Sequence, residues 1–263
     1  MGKSKDLATG AAYQDQTESD TRYVNTAGDT MTGNLAINNA SGSQVTLHRT
    51  DTTIANDDLY GQIILSGDDA DTNASGTRGY IRGRSQGSGG GLKMEFGTAG
   101  GGVAMGSDPR MTINADGIVT KPNQPMFRIR CANNNNVNGT LGGGVNLAGT
   151  GFYQSNTLVQ TGGTNFSVST GRFTAPVAGY YYFNFSNRVD SVGSGYVYFT
   201  ILDNGGSVIT RNLTSVNTTY QTLHCSAVHY MSANDYVYVN YLSSSDQYVN
   251  LDSDGFFSGF LVG

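Results

Sequence analysis

The sequence predicts an all-β protein, an intertwined trimeric β shaft followed by a jelly-roll head, and three observations lead there. Gly accounts for 37 of the 263 residues and charged residues for only 13%, which argues against charged-faced helices. Apolar residues recur in strand-length runs and never at helical spacing. The chain also divides near Lys121 into halves of unlike composition. Residues 1–121 hold 10 of the 15 Lys and Arg but 4 Tyr and 1 Phe, whereas residues 122–263 hold 12 Tyr, 10 Phe and no Lys. Aromatic side chains bury the largest areas, so the compact core belongs to the second half.

In the first half the apolar patches are Val45–Leu47, Ile63–Leu65, Tyr80–Ile81, Leu92–Phe96, Val103–Met105, Met111–Ile113 and Ile118–Val119, separated by Gly and Asp turns. Each is strand-length and too thin to bury a face alone. Such a segment gains a core when identical chains wrap around one another, which predicts a homotrimeric or similar shaft. At the seam, Pro122 and Pro125 favour extended backbone, as a domain joint would.

The second half opens its strongest strand signals at Tyr180–Phe185, Tyr196–Leu202 and Tyr236–Leu242, all dense in aromatic and β-branched residues. Between the second of these and a returning strand at Val208–Leu213, the pair Asn204-Gly205 suits a tight hairpin. Repeated strands of this length over about 140 residues predict a β-sandwich or jelly roll.

Composition also excludes function classes. A formal net charge of −5 and a pI near 5.0 remove the broad basic footprint that phosphate neutralisation needs, so no nucleic-acid partner is expected. No run of about 18 apolar residues occurs, and the start, Met1-Gly2-Lys3-Ser4-Lys5-Asp6, reads as polar sequence without a secretion signal. Cys131 and Cys225 are too few for a disulfide scaffold and lack zinc-site spacing, so two free or buried thiols are expected.

Two stretches carry family resemblances. Gly28-Asp29-Thr30-Met31-Thr32-Gly33, within Tyr23–Leu35, resembles a segment near the start of many bacteriophage tail-fibre proteins, and Arg110–Val119 is similar to a strand-turn-strand element common at the end of fibre shafts. In the second half, four ordered blocks resemble the C1q-like/tumour-necrosis-factor-like trimeric head: Gln124–Arg130, Ser169–Phe183, Met231–Val239 and Phe256–Val262. In the third block Asn234 stands where that family usually has Gly. The resemblance implies a ten-stranded jelly roll that assembles as a tight trimer and serves binding rather than catalysis. Phe173, Gly179, Tyr180, Phe183, Phe257, Gly259 and Phe260 are its structural motif residues, and sequence alone does not divide them between core and trimer interface.

Together these readings predict a virion-anchoring region at 1–25, a shaft at 26–121 and a receptor-binding head at 122–263. The expected function is that of a phage tail fibre, made in the host bacterial cytoplasm and carried on the virion. It would contact phage tail or adaptor proteins through its N-terminus and a host surface glycan or outer-membrane protein through its head. Candidate receptor loops are Asn133–Gly144, Asp190–Gly195, Leu213–Tyr220 and Ser243–Asp254, rich in Tyr, Asn and Asp. A head acting only as a trimerisation clamp is the alternative, and a fibre with polysaccharide depolymerase activity is a further one.

No enzyme, cofactor or metal is expected. Gly2-Lys3-Ser4 lacks the upstream loop of a phosphate-binding motif. Asp68–Gly76 has acidic residues at alternate positions, yet Ala74 replaces the turn Gly of a calcium loop and Tyr80 its bidentate Glu; Asn250–Gly255 has the Gly but Leu261 in the bidentate position. His48, His224 and His229 show no metal-helix spacing. His224 and Cys225, as strand neighbours, point to opposite faces and make a poor base and nucleophile pair. Only Glu18 and Glu95 represent Glu for a paired-carboxylate mechanism.

Overall fold

Among the described residues one 3-10 turn, Ser155–Thr157, interrupts what is otherwise a succession of β-strands. The computed structural model describes residues 34–70, 75–100, 106, 108–139, 144–190, 195–215, 220–244, 247–251 and 253–263, and no α-helix occurs among them. The chain divides into two units, Met1–His48 and Arg49–Gly263. In the first, the described residues hold a turn in which Asn39 accepts the N–H groups of Ser41 and Gly42. Val45–Leu47, expected as a strand, forms none: Val45 and Leu47 are exposed and an isolated apolar triplet has no ladder to join.

The second unit begins with an antiparallel meander in the order β1 (Leu59–Gly67), β2 (Gly76–Gln86), β3 (Gly91–Thr98), β4 (Met111–Ile113) and β5 (Val119–Thr120). Four of its strands and the start of the fifth coincide with expected patches, while Val103–Met105 lies outside the described residues. Cross-strand registers sort the side chains into two faces. One carries Arg82 opposite Glu95 and Arg84 opposite Lys93. The other carries two cross-strand rows, Ile63, Ile81, Phe96 and Met111 across β1 to β4, and Met94, Ile113 and Val119 across β3 to β5. Ile63, Leu65, Ile81, Leu92 and Val119 on that face are exposed, so within one chain this sheet is a single layer with a bare apolar side.

The head contains β6 (Met126–Arg130), β7 (Asn134–Gly139), β8 (Val145–Asn146), β9 (Val159–Thr161), β10 (Phe166–Ser167), β11 (Arg172–Thr174), β12 (Gly179–Asp190), β13 (Tyr196–Asp203), β14 (Val208–Ser215), β15 (Tyr220–Met231), β16 (Tyr236–Ser243), β17 (Gln247–Leu251) and β18 (Phe256–Leu261). One sheet runs β15-β12-β18-β6-β9 and the other β10-β11-β16-β13-β14, with β8 added beside β16. These two five-strand paths supply the ten strands of the expected jelly roll. β7 and β17 form a separate two-stranded ladder, so parts of two stretches expected as receptor loops, 133–144 and 243–254, are paired strands instead. Four Asn and a single Val, Val137, in 134–139 hide a strand because Asn also signals turns.

Alternation puts one side of each long strand into the space between the sheets. Phe127, Tyr181, Phe183, Phe185 and Phe257 enter from one sheet, and Phe166, Phe173, Phe199, Val237 and Tyr241 from the other, all buried. Phe127 stacks on both Phe166 and Phe173 at 4.8 Å and meets Phe257 edge-on at 4.9 Å. Each such side chain contributes about 1.5–3 kcal/mol by leaving water. Tyr181 is buried on the same side and donates its hydroxyl to the Val177 carbonyl four residues back at 2.8 Å, fixing the entry into β12.

Turn chemistry departs from one expectation. In the β13–β14 hairpin the left-handed residue is Gly206 (φ 79°), not Asn204 or Gly205. Asp203 Oδ1 accepts N–H groups from Gly205 (2.9 Å) and Ser207 (2.7 Å), which lengthens the loop beyond a two-residue turn. The β4–β5 hairpin repeats the design: Asn114 Oδ1 accepts from Asp116 (3.0 Å) and Ile118 (2.8 Å), and Gly117 is left-handed (φ 80°). Asn234 is left-handed as well (φ 73°), the conformation in which Asn is the tolerable replacement for Gly. At the seam, Gln124 N–H donates to the Lys121 carbonyl at 3.1 Å, so Pro122 sits inside a turn rather than in an extended joint.

Candidate functional site: the outward face of the β15-β12-β18-β6-β9 sheet

The alternation that buries Tyr181, Phe183 and Phe185 sends Tyr180, Tyr182 and Asn184 outward. Their neighbours follow from register: Tyr230 lies opposite Tyr180, Val228 and Phe260 flank Tyr182, and Ser226 and Ser258 flank Asn184. Tyr180 and Tyr230 meet edge-on at 5.3 Å, and the Tyr182 and Phe260 rings lie 5.4 Å apart. Despite these contacts Tyr180 is 56%, Val228 58%, Tyr230 54% and Phe260 47% exposed. An apolar cluster of this kind at one end of a sheet face is the signature of a surface that another molecule covers.

The face changes character along the strands. Its apolar end is the end where the chain leaves the meander and where Gly263 lies: Tyr180 N–H donates to the Gly263 carbonyl and Leu261 N–H to the Pro125 carbonyl. A cavity of about 430 Å³ adjoins that end, lined in part by Lys121, Gln124, Pro176, Val177 and Gly263. At the opposite end the outward groups are polar. The Arg128 guanidinium lies 5.5 Å from the Phe256 ring centroid, Arg188 4.8 Å from that of Tyr220, and Arg130 pairs with Asp254 at 2.8 Å. A second cavity of about 210 Å³ sits there among Ser186, Asn187, Arg188, Thr222, Asp254 and Gly255.

The motif residues separate into two groups. Phe173, Phe183 and Phe257 belong to the core, while Tyr180 and Phe260 belong to the outward cluster. Gly259 is buried and leaves no room for a side chain, since a Cβ there would lie 2.5 Å from Phe183 Cδ1 and 2.9 Å from Phe127 Cε1. Gly179 likewise leaves only 2.8 Å to Leu261 Cδ1. Val228 and Tyr230 complete the cluster without having been singled out in the sequence. Their signal was the alternation Leu223, Cys225, Ala227 against His224, Ser226, Val228, which the polar residues in β15 obscure.

The residues tested for chemistry are dispersed. His224 faces outward and Cys225 inward, and burial pushes the Cys225 thiol up to about 11, so it holds its proton at neutral pH. Cys131 is buried too. Glu95 is buried on the charged face of the meander, 2.6 Å from Arg82, 3.3 Å from Lys93 and 3.6 Å from Arg84, an arrangement that holds a carboxylate in place. Glu18, Gly2–Ser4, residues 71–74 of the first acidic stretch and Asp252 of the second lie outside the described residues, as do 140–143, 191–194, 216–219 and 245–246 of the candidate receptor loops. Among the described residues no cluster of three His, Cys, Asp or Glu could hold a metal ion.

Comparison with known proteins bears on the same region. The family model of the C1q domain matches residues 152–262. Residues 152–262 are a C1q domain. The match starts downstream of β6, yet β6 pairs with β18 of the C1q domain from Met126 to Arg130 and so completes its sheet. Among solved structures, the globular domain of zebrafish complement 1qA protein is similar at 18% identity with a TM-score of 0.38, covering 53% of this chain and 98% of that one. No curated protein matches.

Proposed function

We propose that this chain is the tail fibre of a bacteriophage, a homotrimer that attaches the virion to a bacterial surface. Residues 1–25 would anchor it to tail or adaptor proteins, 26–121 form the shaft and 122–263 the receptor-binding head. The observation that supports the trimer is a C1q domain, a module that commonly trimerises, whose outward sheet face ends in a bare cluster of Tyr180, Val228, Tyr230 and Phe260 around the half-buried Tyr182. Two further copies of the chain are the natural cover, since a closed three-fold assembly buries the cluster of every chain around its axis. The bare side of the β1–β5 meander needs the same treatment. Its ladders close within one chain, so copies would meet face to face, each sheet forming one wall of the shaft.

The tail-fibre reading rests on the resemblance of Gly28–Gly33 and Arg110–Val119 to fibre segments, the latter forming a strand-turn-strand with Gly117 at its turn. Three heads per fibre and several fibres per particle would raise weak single-site binding by about 10²–10⁴-fold through effective concentration. The test is adsorption of labelled full-length protein to a panel of bacterial strains, with competition against infecting phage. Retention on a susceptible strain together with blocked adsorption is expected. Full trimer formation without retention on any strain that the phage infects would leave only the trimerisation clamp.

A further inference from the structure

The outward face of the other head sheet, β10-β11-β16-β13-β14, is built differently. Its exposed or half-buried side chains include Tyr196 and Tyr198 from β13, Tyr236 and Tyr238 from β16, Arg172 from β11 and Arg211 from β14. The Arg172 guanidinium lies 4.0 Å from the Tyr236 ring centroid and 6.0 Å from that of Tyr238. Arg211 lies 4.4 Å from the Tyr198 centroid, its Nε donating to Thr200 Oγ1 at 3.2 Å. Tyr196 and Tyr198 are nearly parallel, 9° apart, with centroids at 6.2 Å. In a chain of net charge −5, neither arginine has a carboxylate within ion-pair distance among the described residues, and the outward positions of β11, β13, β14 and β16 hold no Asp or Glu.

We propose that this face binds an acidic, carboxylate-bearing polysaccharide of the bacterial surface. The inference rests on the attachment function proposed above and names its ligand class. A guanidinium fork takes a carboxylate through two parallel N–H donors, and a tyrosine ring offers a flat amphipathic platform for a pyranose face at low conformational cost. Stacking on Tyr236 and Tyr198 holds both guanidinium groups in place before ligand arrives, which lowers the ordering cost of binding. Three inter-strand steps separate Arg172 from Arg211, about 15 Å across the sheet. That span suits successive residues of a polymer rather than one monosaccharide.

The test uses full-length protein and immobilised polygalacturonate as the anionic probe, with dextran as the neutral one. Expected are retention on polygalacturonate that falls as salt rises, no retention on dextran, and a loss of at least about tenfold in affinity for R172Q/R211Q. R211K, which keeps charge but loses the fork, should recover only part of it. Equal retention on both polymers, or undiminished polygalacturonate binding by R172Q/R211Q at wild-type mass and thermal stability, would overturn the proposal. Adsorption to bacteria is scored separately. If R172Q/R211Q adsorbs to cells like wild type, attachment stands and this ligand class falls; if wild type binds polygalacturonate but no cell, the attachment reading falls instead.

Discussion

Replacing Phe260 by Ala probes the assembly directly. Phe260 is 47% exposed in a single chain, roughly 90 Å² of a side chain that buries about 150–250 Å² when covered. At about 25 cal/mol per Å², covering that area in a trimer is worth about 2 kcal/mol per chain and about 6 kcal/mol per assembly. The half-dissociation concentration of a trimer varies as the square root of its dissociation constant, so the substitution should raise it roughly a hundredfold. The single chain loses less, because the remaining partner is the Tyr182 ring at 5.4 Å, a contact worth about 1 kcal/mol. Sedimentation of wild type and F260A over a dilution series, repeated in sub-denaturing urea, measures the shift. A wild-type protein that sediments as a monomer throughout, or an F260A trimer dissociating at the wild-type concentration, would refute the reasoning.

Gly171→Ala should cost at least about 3 kcal/mol in urea denaturation, because Gly171 is left-handed (φ 66°) and a Cβ there would lie 1.8 Å from the Leu147 carbonyl oxygen; a change below about 1 kcal/mol would contradict that packing. Asn234→Ala should lower stability by about 1 kcal/mol while Asn234→Gly stays within about 0.5 kcal/mol of wild type, since only the first forces an ordinary side chain into φ 73°. Burial pushes the Cys225 thiol up to about 11 and the Tyr241 phenol to about 12, so the folded state holds both protons more tightly than the unfolded chain. Their contribution is therefore full below about pH 9 and is lost as pH rises through 11 to 12, which pH-dependent thermal denaturation and thiol titration would register.

Much of the fold was legible because the aromatic strands of the head alternate cleanly. Tyr180–Phe185, Tyr196–Leu202 and Tyr236–Leu242 each fall within one observed strand, and every second residue enters the core. Shorter signals were harder. Val45–Leu47 looks like a strand by composition but has no ladder, whereas Asn134–Gly139 looks like a loop and pairs with Gln247–Leu251. Hydrogen bonding to a partner strand outweighs residue preference in both directions.

Composition and periodicity determined the β class, the change of character near Lys121 and the place of the aromatic core, because those depend on local alternation and on how much apolar area each segment brings. Tertiary structure alone separated Phe173, Phe183 and Phe257, which face the opposite sheet, from Tyr180 and Phe260, which face outward. Register decided that division, since a shift of one residue along a strand exchanges its two faces. The same pairing brought Arg172, Arg211 and four tyrosines, more than 60 residues apart along the chain at their extremes, onto one surface. Sequence spacing carries no record of that neighbourhood, because it exists only once β11, β16, β13 and β14 lie side by side.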